Sequence, residues 1–337
     1  MPDNIRFAIV GFGNIGRRHA EHIINNSATE LIAVCDINPG VKDTLPDKVL
    51  FYTNIDDMLA SCKADVLSVC TPNYLHEPHT IAGLRAGMHT VVEKPMAISV
   101  AECTRMIAAA KETGKTIFAV KQNRYNPPVQ EVKKLMAAKE LGDIYMLQVN
   151  CFWNRGDAYY AGSDWRGKKD KDGGCLFTQF SHFVDILYYL NGPVINASGW
   201  IHNFAHLHNT EVEDTGSFVL KAANEAIINF NFTTCSYDRN MEGSITIFAE
   251  KGTVKIGGQY LNTIEYQQLA TATLPHINIS AKANDYGLYQ GSMSNHDKVI
   301  QNVVDVLHHN KAVMTSAEEG REVVRIIEQM YGGAVRV

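Results

Sequence analysis

The sequence predicts two domains of different class, an α/β domain followed by an α+β domain. From residue 5 to about residue 120, short apolar runs rich in β-branched residues alternate with stretches of helical period, which is typical of a parallel sheet with connecting helices. The pattern changes after residue 122, and from about residue 211 longer alternating runs follow one another without helices between them, as in an antiparallel sheet. We therefore predict domains of residues 1–122 and 123–337.

The first domain contains five apolar runs of strand length: Ile5–Val10, Leu31–Cys35, Val66–Cys70, Thr90–Glu93 and Thr116–Val120. A helix is predicted before the last of them, since Ser99 and Glu102 form a capping box and Gly114 is a suitable end. Strands that are apolar throughout, with helices between them, predict a doubly wound parallel sheet.

The second domain is predicted to contain a large open sheet, mainly antiparallel, with helices on one face. Its predicted strands are Ile144–Trp153, 211–221, 225–235, 242–250 and 253–256, and its predicted helices include Leu176–Leu190, 292–310 and 316–331. Because the other face of this sheet would lack helices, we expect subunits to pair through it.

Composition excludes several classes of function. The 337 residues carry a net charge of −5, which gives no general attraction for nucleic acid or an anionic membrane. Neither a membrane-spanning run of about 18 apolar residues nor a signal peptide is recognisable, so a cytoplasmic location is expected. The seven cysteines are scattered and never have C-x-x-C spacing, so the sequence predicts neither disulfides nor a zinc site.

A glycine motif follows the first predicted strand directly and opens a helix, and it consists of Gly11, Phe12, Gly13, Asn14, Ile15 and Gly16. This G-x-G-x-x-G pattern lets a pyrophosphate approach a helix N-terminus. Asp36 ends the second strand 20 residues beyond Gly16, where a carboxylate binds the ribose hydroxyls of a dinucleotide. No arginine follows Asp36 in the segment that begins with Ile37, so the Rossmann domain is predicted to bind NAD rather than NADP.

Other cofactor contacts are predicted at the carboxyl ends of later strands, where ligands bind in open α/β sheets. These residues are Thr71, Pro72, Asn73, His76, Glu93, Lys94 and Gln122. Taken alone, Lys94 beside Pro95 could equally be a surface lysine at a turn.

His182 lies in a predicted apolar helix, with Asp185 on the same face three residues later. Oxidation of a secondary alcohol needs a base for the hydroxyl proton, and histidine is suited to this near neutral pH. The alternative is a core histidine bonded to Asp185.

The glycine motif, Asp36, the segment Glu93-Lys94-Pro95 and the helix with His182 together resemble the glucose-fructose oxidoreductase and inositol dehydrogenase family over essentially the whole chain. The resemblance implies that Lys94 and His182 are catalytic. Many relatives have an aspartate four residues before the histidine, whereas this chain has Thr178.

Within that family, the segments Phe152-Trp153-Asn154-Arg155, Trp165-Arg166-Gly167 and Glu213-Asp214-Thr215-Gly216 are similar to those of bacterial UDP-N-acetylglucosaminuronate 3-dehydrogenases. This similarity implies NAD-dependent oxidation of the sugar C3 hydroxyl, in the synthesis of surface polysaccharide sugars. Arginine side chains would suit the pyrophosphate and carboxylate of such a substrate. The implied substrate-binding residues are Lys94, Arg124, Arg155, Tyr160, Trp165, Arg166, Thr178, Gln179 and His182.

Two other functions are possible: a dehydrogenase of a free sugar or inositol, and a non-catalytic NAD-binding regulator. No metal is expected. His202, His206 and His208 are close in sequence, but no carboxylate or cysteine beside them completes an obvious ligand set.

Overall fold

The computed structural model describes residues 4–271, 273–275, 283–285 and 290–337. Residues 1–3, on which the expectation of no signal peptide partly rests, lie outside the described residues. Two compact units divide the chain. One consists of the described residues up to Lys121 together with His296–Val324, and the other of those from Gln122 to Asn295 together with Arg325–Val337.

The first unit alternates strands and helices along the chain. Its elements are β1 (Ile5–Val10), α1 (Asn14–Asn25), β2 (Thr29–Cys35), β3 (Leu50–Tyr52), α2 (Ile55–Ser61), β4 (Val66–Val69), α3 (His76–Arg85), β5 (His89–Val92), α4 (Val100–Thr113) and β6 (Ile117–Ala119). The strands form one parallel sheet in the order β3-β2-β1-β4-β5-β6. This is the Rossmann order, and the predicted doubly wound sheet is confirmed.

The strands of this sheet are apolar because both faces of the sheet are covered. Every residue is buried in the central strand β4 and in the edge strand β6. The five predicted strands lie within one or two residues of their observed positions. At α4, the Ser99 hydroxyl accepts the backbone N–H of Glu102, and Gly114 closes the helix with a φ of 66°. The predicted Ser99 cap and glycine end are therefore confirmed, and the Glu102 carboxylate accepts the backbone N–H of Ile98.

The second unit begins with a helix and contains the larger sheet. Its elements are α5 (Pro127–Ala137), β7 (Ile144–Phe152), α6 (Asp157–Ala161), α7 (Lys169–Asp172), α8 (Cys175–Thr178), α9 (Ser181–Asn191), β8 (Val194–His202), β9 (Thr215–Ala222), β10 (Ile227–Thr233), β11 (Glu242–Ala249), β12 (Gly252–Gly257), β13 (Thr263–Leu269), β14 (Ala283–Asp285) and β15 (Gln290–Met293). The chain continues through α10 (His296–His309) and α11 (Ala317–Gly332) to β16 (Ala334–Arg336).

The larger sheet has the order β13-β12-β11-β7-β10-β9-β8-β16. Its strand pairs are antiparallel except β7 with β10 and β8 with β16, so the predicted mainly antiparallel sheet is confirmed. Residues alternate between buried and exposed along β9 and β10, as expected when one face is covered. On the covered face the Phe232 ring lies 5.2 Å from that of Phe180, which immediately precedes α9, and the residues of α9 from Ser181 to Leu187 are all buried.

The uncovered face of the larger sheet carries apolar side chains. Trp200 is 60% exposed and lies opposite Val335 in the register of β8 and β16, and Val219 on β9 is 53% exposed. The subunit pairing expected through this face stays a prediction.

Several sequence-based expectations differ from the structure. The helix predicted at 292–310 begins at His296, and its first predicted residues belong to β15. The helix predicted at Leu176–Leu190 is two helices, α8 and α9, interrupted at Gln179 and Phe180. Residues 296–324 belong to the first unit, whereas the linear division at residue 122 places them in the second domain. The reason is tertiary packing, since α10 lies against α1 and the His296 ring is 5.5 Å from that of His19.

Among the residues that the structure describes, no helix is both long and apolar enough to span a bilayer.

Candidate active site

The glycine turn between β1 and α1 contains two glycines that the fold itself requires. Gly11 has a φ of +85°, and a Cβ there would lie 2.7 Å from the carbonyl oxygen of Cys70. A Cβ on Gly16 would collide with the carbonyl oxygen of Gly11. A Cβ on Gly13 would meet no atom of the described residues within 4 Å. Packing against those residues therefore does not explain Gly13, whereas the close approach of a pyrophosphate would.

Asp36 is held beside this turn at the end of β2. Its Oδ2 accepts the backbone N–H of Phe12 at 2.6 Å, and its Oδ1 accepts that of Asn38 at 2.8 Å. The next side chain, Ile37, is 92% exposed. The carboxylate is thus fixed where a dinucleotide ribose would meet it, next to an apolar surface suited to the adenine base.

The segments after β4 and β5 lie at the same edge of the sheet, because all strands are parallel. His76 connects these segments: its Nδ1 lies 2.6 Å from the carbonyl oxygen of Pro95 and its Nε2 lies 2.8 Å from that of Thr71. Asn73 is buried in the same segment. The first unit thus brings together the predicted cofactor residues at the carboxyl ends of β1, β2, β4 and β5, whereas Gln122 belongs to the second unit.

Glu93 is buried beneath this edge and Lys94 is half-buried beside it. One oxygen of Glu93 lies 2.9 Å from Nε2 of His19, and the other accepts the backbone N–H of Lys94 at 3.0 Å. Burial alone would raise the pKa of the Glu93 carboxyl, but its bond to His19 and its close contact with His296 hold that pKa well below its usual value. Glu93 is therefore ionised, and its contacts lie within the protein.

His182 is the second residue of α9 and is buried. Its Nε2 lies 3.5 Å from Oγ of Ser292, and that hydroxyl accepts a hydrogen bond from Nε2 of Gln122 at 2.8 Å. Ser292 had no signal in the sequence, because it is 110 residues away and belongs to no motif. Thr178 ends α8, and its hydroxyl donates to the carbonyl oxygen of Asp172 at 3.3 Å.

Asp185 is not the partner of His182 but of Arg124. The Arg124 Nη2 donates to Asp185 Oδ1 at 2.8 Å, and its Nε lies 3.0 and 3.2 Å from the two oxygens. The Arg124 guanidinium also lies 4.7 Å from the ring of Tyr189. The alternative of a His182–Asp185 core pair is therefore wrong. The ion pair with Asp185 explains why the Arg124 guanidinium can be buried, and no bound ligand is needed for this.

A polar and aromatic cluster brings together several predicted substrate residues. The Arg155 Nε donates to Oε1 of Gln179 at 2.8 Å, and the Gln179 amide donates to the hydroxyl of Tyr159 at 2.6 Å. The Arg166 guanidinium lies 4.4 Å from the Tyr159 ring and 5.6 Å from the Trp165 ring. Arg155 is almost fully buried, whereas Arg166 and Trp165 are half-exposed.

Tyr160 lies at the edge of the same cluster, with its ring 5.0 Å from that of Tyr159. Burial raises the pKa of the Tyr160 hydroxyl above its usual range, so this group stays a neutral donor. The predicted residues Arg155, Tyr160, Trp165, Arg166 and Gln179 thus belong to one neighbourhood of the second unit.

Comparison with known proteins identifies the family of the chain. Residues 5–121 match an oxidoreductase family with an NAD-binding Rossmann fold, and residues 129–255 match the GFO/IDH/MocA C-terminal domain. The crystal structure of the WlbA dehydrogenase from Bordetella pertussis in complex with NADH and UDP-GlcNAcA is 35% identical, and the match covers 98% of this chain and 96% of that one with a TM-score of 0.87. The chain belongs to the GFO/IDH/MocA oxidoreductase family.

Another similar structure in this GFO/IDH/MocA family is the WlbA dehydrogenase from Chromobacterium violaceum, also in complex with NADH and UDP-GlcNAcA. It is 35% identical, and the match covers 98% of this chain and 94% of that one with a TM-score of 0.88. Among curated relatives, the D-glucoside 3-dehydrogenase of Escherichia coli K12 is 30% identical over 192 residues, which are 56% of this chain and 54% of that protein. The chain thus matches about half the length of that relative. The predicted cofactor, NAD, is confirmed by the family of the first domain.

Two groups of potential metal ligands occur among the described residues of this GFO/IDH/MocA member: His19 with Glu93 and His296, and His206 with Asp214 and Cys235. The second group was not expected from the sequence, where no carboxylate or cysteine beside the three histidines completes a ligand set. Folding brings Asp214 and Cys235 to His206. His202 instead packs on Phe204, and His208 pairs with Asp157. The absence of a metal stays a prediction.

His206 already has a partner in the chain. Its Nδ1 lies 3.1 Å from Oδ2 of Asp214, which also accepts the backbone N–H of Ala205. The bond to Asp214 and one to Cys235 raise the pKa of His206 to about 10. His206 and Asp214 therefore form a charged pair that closes the loop between β8 and β9. This pair explains why the three side chains lie together, and no metal ion is needed for it.

Proposed function

We propose that this protein oxidises a secondary hydroxyl of a nucleotide-linked sugar with NAD, and that its substrate is UDP-N-acetylglucosaminuronic acid, oxidised at C3. One observation carries the proposal: two dehydrogenases crystallised with NADH and UDP-GlcNAcA are 35% identical to this chain over 98% of its length. In this proposal the enzyme works in the cytoplasm, in the synthesis of surface polysaccharide sugars, as a homodimer or homotetramer.

The first unit would hold the cofactor. The backbone at Gly13 leaves room for the pyrophosphate, Asp36 binds the adenosine ribose, and Ile37 covers the adenine. A carboxylate at that position repels a 2′-phosphate, which favours NAD over NADP. When bound, NAD supplies a hydride acceptor.

Two side chains would carry the proton chemistry. His182 takes the proton of the reacting hydroxyl, since a neutral imidazole is an effective base near pH 7. The Lys94 ammonium donates a hydrogen bond to the same oxygen and stabilises the negative charge that develops there. Thr178 cannot supply the negative charge that an aspartate would place near the histidine, so His182 acts here without a neighbouring carboxylate at that position.

The substrate anions would be bound in the aromatic cluster of the second unit. Arg166 and Trp165 are half-exposed, so they can reach a ligand, and a guanidinium suits a pyrophosphate or a carboxylate. Arg155, Gln179 and Tyr160 are buried in hydrogen bonds and ring contacts. They support that surface from below. Arg124 is left out of the binding set because Asp185 holds its guanidinium.

A dehydrogenase of free sugars is the second candidate. The 30% identity to a D-glucoside 3-dehydrogenase over 56% of this chain favours it. The two candidates differ in whether the nucleotide is needed, because a free sugar has no anion for Arg166 to bind.

A substrate screen separates the candidates. NADH formation would be followed with UDP-N-acetylglucosaminuronic acid, UDP-N-acetylglucosamine, methyl glucoside and myo-inositol. We expect oxidation of the UDP-uronic acid, with a large loss of kcat/KM for the UDP-sugar that lacks the carboxylate. Oxidation of only the free sugars would favour the second candidate, and no oxidation of any of them would contradict both.

The same assay tests the residue roles. Lys94→Ala and His182→Ala should each lower kcat by about 10²- to 10⁴-fold while NADH still binds. His202→Ala, which changes a histidine at the end of β8, serves as the matched control and should keep wild-type turnover. Near-wild-type turnover in both of the first two variants would contradict the assignment.

A further inference from the structure

We propose that Glu93, His19 and His296 form a buried positioning cluster that fixes the backbone of Lys94 and connects it to the cofactor-binding helix α1. Glu93 then acts through Lys94 and is not a ligand of the cofactor. The inference rests on the proposed function in one respect, since it takes Lys94 as the catalytic lysine.

Glu93 is the centre of this cluster. Its Oε2 accepts the backbone N–H of Lys94 at 3.0 Å, and its Oε1 lies 2.9 Å from Nε2 of His19 and 3.3 Å from Nε2 of His296. The three side chains are between 0 and 5% exposed. One carboxylate therefore connects the end of β5 to α1 through one oxygen and orients the next backbone amide through the other.

The charges in the cluster complement one another. Burial alone would lower the pKa of His19, but the neighbouring Cys70 sulfur and the Glu93 carboxylate outweigh burial and raise it. Burial lowers the pKa of His296, which is therefore a neutral partner at pH 7. Glu93 and His19 thus form a buried ion pair, and His296 packs against it.

A buried ion pair is poor evidence for stability, because apolar side chains of similar volume often serve a core equally well. The pair instead provides a directional hydrogen bond between Glu93 and α1. His19 lies in the second turn of α1, the helix that begins at the glycine turn, and His296 is the first residue of α10. The cluster therefore connects three parts of the first unit: α1, the segment after β5 that contains Lys94, and α10.

The first test needs no substrate. Hydrogen exchange at the Lys94 amide would be compared in wild type, Glu93→Ala and Glu93→Gln. We expect exchange roughly tenfold faster in Glu93→Ala, which has no acceptor, and near-wild-type exchange in Glu93→Gln, which keeps one. His89→Leu is the matched control, since His89 accepts the backbone N–H of Thr116 at the other end of β5. Unchanged exchange at Lys94 in Glu93→Ala would overturn the proposal.

The second test uses turnover and avoids replacing the carboxylate, in case Glu93→Ala does not fold. His19→Leu removes the donor to Glu93, and His19→Gln restores one. We expect His19→Leu to lower kcat roughly tenfold with little change in KM for NAD, and His19→Gln to recover most of the loss. In a Lys94→Ala background, His19→Leu should have no further effect on kcat, because both changes act through one group.

Several results would overturn the proposal. These are an additive loss in the Lys94→Ala background, an effect on KM for NAD alone, or an equal loss in His89→Leu. A stoichiometric metal in the purified protein that is lost in His19→Leu would make the cluster a metal site instead. If no substrate is found, the amide exchange still tests the cluster, so its failure and that of the proposed function are distinguishable.

Discussion

The ion pair between Arg124 and Asp185 anchors the helix that carries His182, and breaking it should be costly. Both side chains are at most 1% exposed, and their donor and acceptor atoms lie 2.8, 3.0 and 3.2 Å apart. Asp185→Leu removes the Asp185 carboxylate from a buried guanidinium, which we expect to lower the free energy of unfolding by about 3–5 kcal/mol. Arg124→Met should cost a similar amount, because it leaves a buried carboxylate alone.

The double variant Arg124→Met/Asp185→Leu should recover most of that loss, since no buried charge remains. Urea unfolding followed by tryptophan fluorescence is a suitable assay, because the three tryptophans, Trp153, Trp165 and Trp200, all belong to the second unit. If the dependence of the unfolding free energy on urea concentration (the m-value) is the same in all variants, differences between their unfolding midpoints reflect differences in stability.

Two results would refute this reasoning. A loss below about 1 kcal/mol in the single variants, or additive losses in the double variant, would mean that the pair does not act as a unit. A large rise in KM for the sugar in the double variant, with no loss of stability, would indicate that Arg124 binds the substrate after all.

Three further predictions follow from other parts of the chain. Asp36→Ser should weaken the preference for NAD over NADP, measured as the ratio of kcat/KM values, and an unchanged ratio would show that the ribose lies elsewhere. Trp200→Lys with Val219→Lys places charge on the uncovered face of the larger sheet and should give monomers in analytical ultracentrifugation if subunits pair there, whereas an unchanged oligomer would exclude that face. His206 has a folded-state pKa of about 10 against roughly 6.5 when unfolded, so its stabilisation is complete below pH 6.5 and is lost as the pH rises towards 10. The free energy of unfolding should fall by roughly 1–2 kcal/mol over that range, allowing for solvent screening, and His206→Gln should remove this dependence.

Local patterns predicted much of the first unit. The glycine turn, Asp36 and the Ser99 helix cap depend on residues close in sequence, and each has its predicted place in the structure. The edge strand Leu50–Tyr52 was missed because three residues are too few to show a period.

Contacts between distant residues could not be predicted in the same way. Arg124 and Asp185 are 61 residues apart and Glu93 is 203 residues before His296, so no spacing rule connects them. The helical period correctly places Asp185 on the same face of α9 as His182. It cannot predict that Arg124, from another part of the chain, packs against that face. Similarly, the apolar pattern of Leu176–Leu190 did not reveal the break at Gln179, whose amide is bonded to Tyr159 and Arg155 instead of facing solvent.

The transfer of hydrogen from the sugar to the cofactor is the most direct test of the central claim. UDP-N-acetylglucosaminuronic acid labelled with deuterium at C3 would be incubated with the enzyme and NAD, and the NADH formed would be analysed by mass spectrometry. We expect the deuterium in the NADH, with no transfer from a substrate labelled at C4. Deuterium that stays in the sugar, or NADH labelled only from C4, would contradict the proposed reaction.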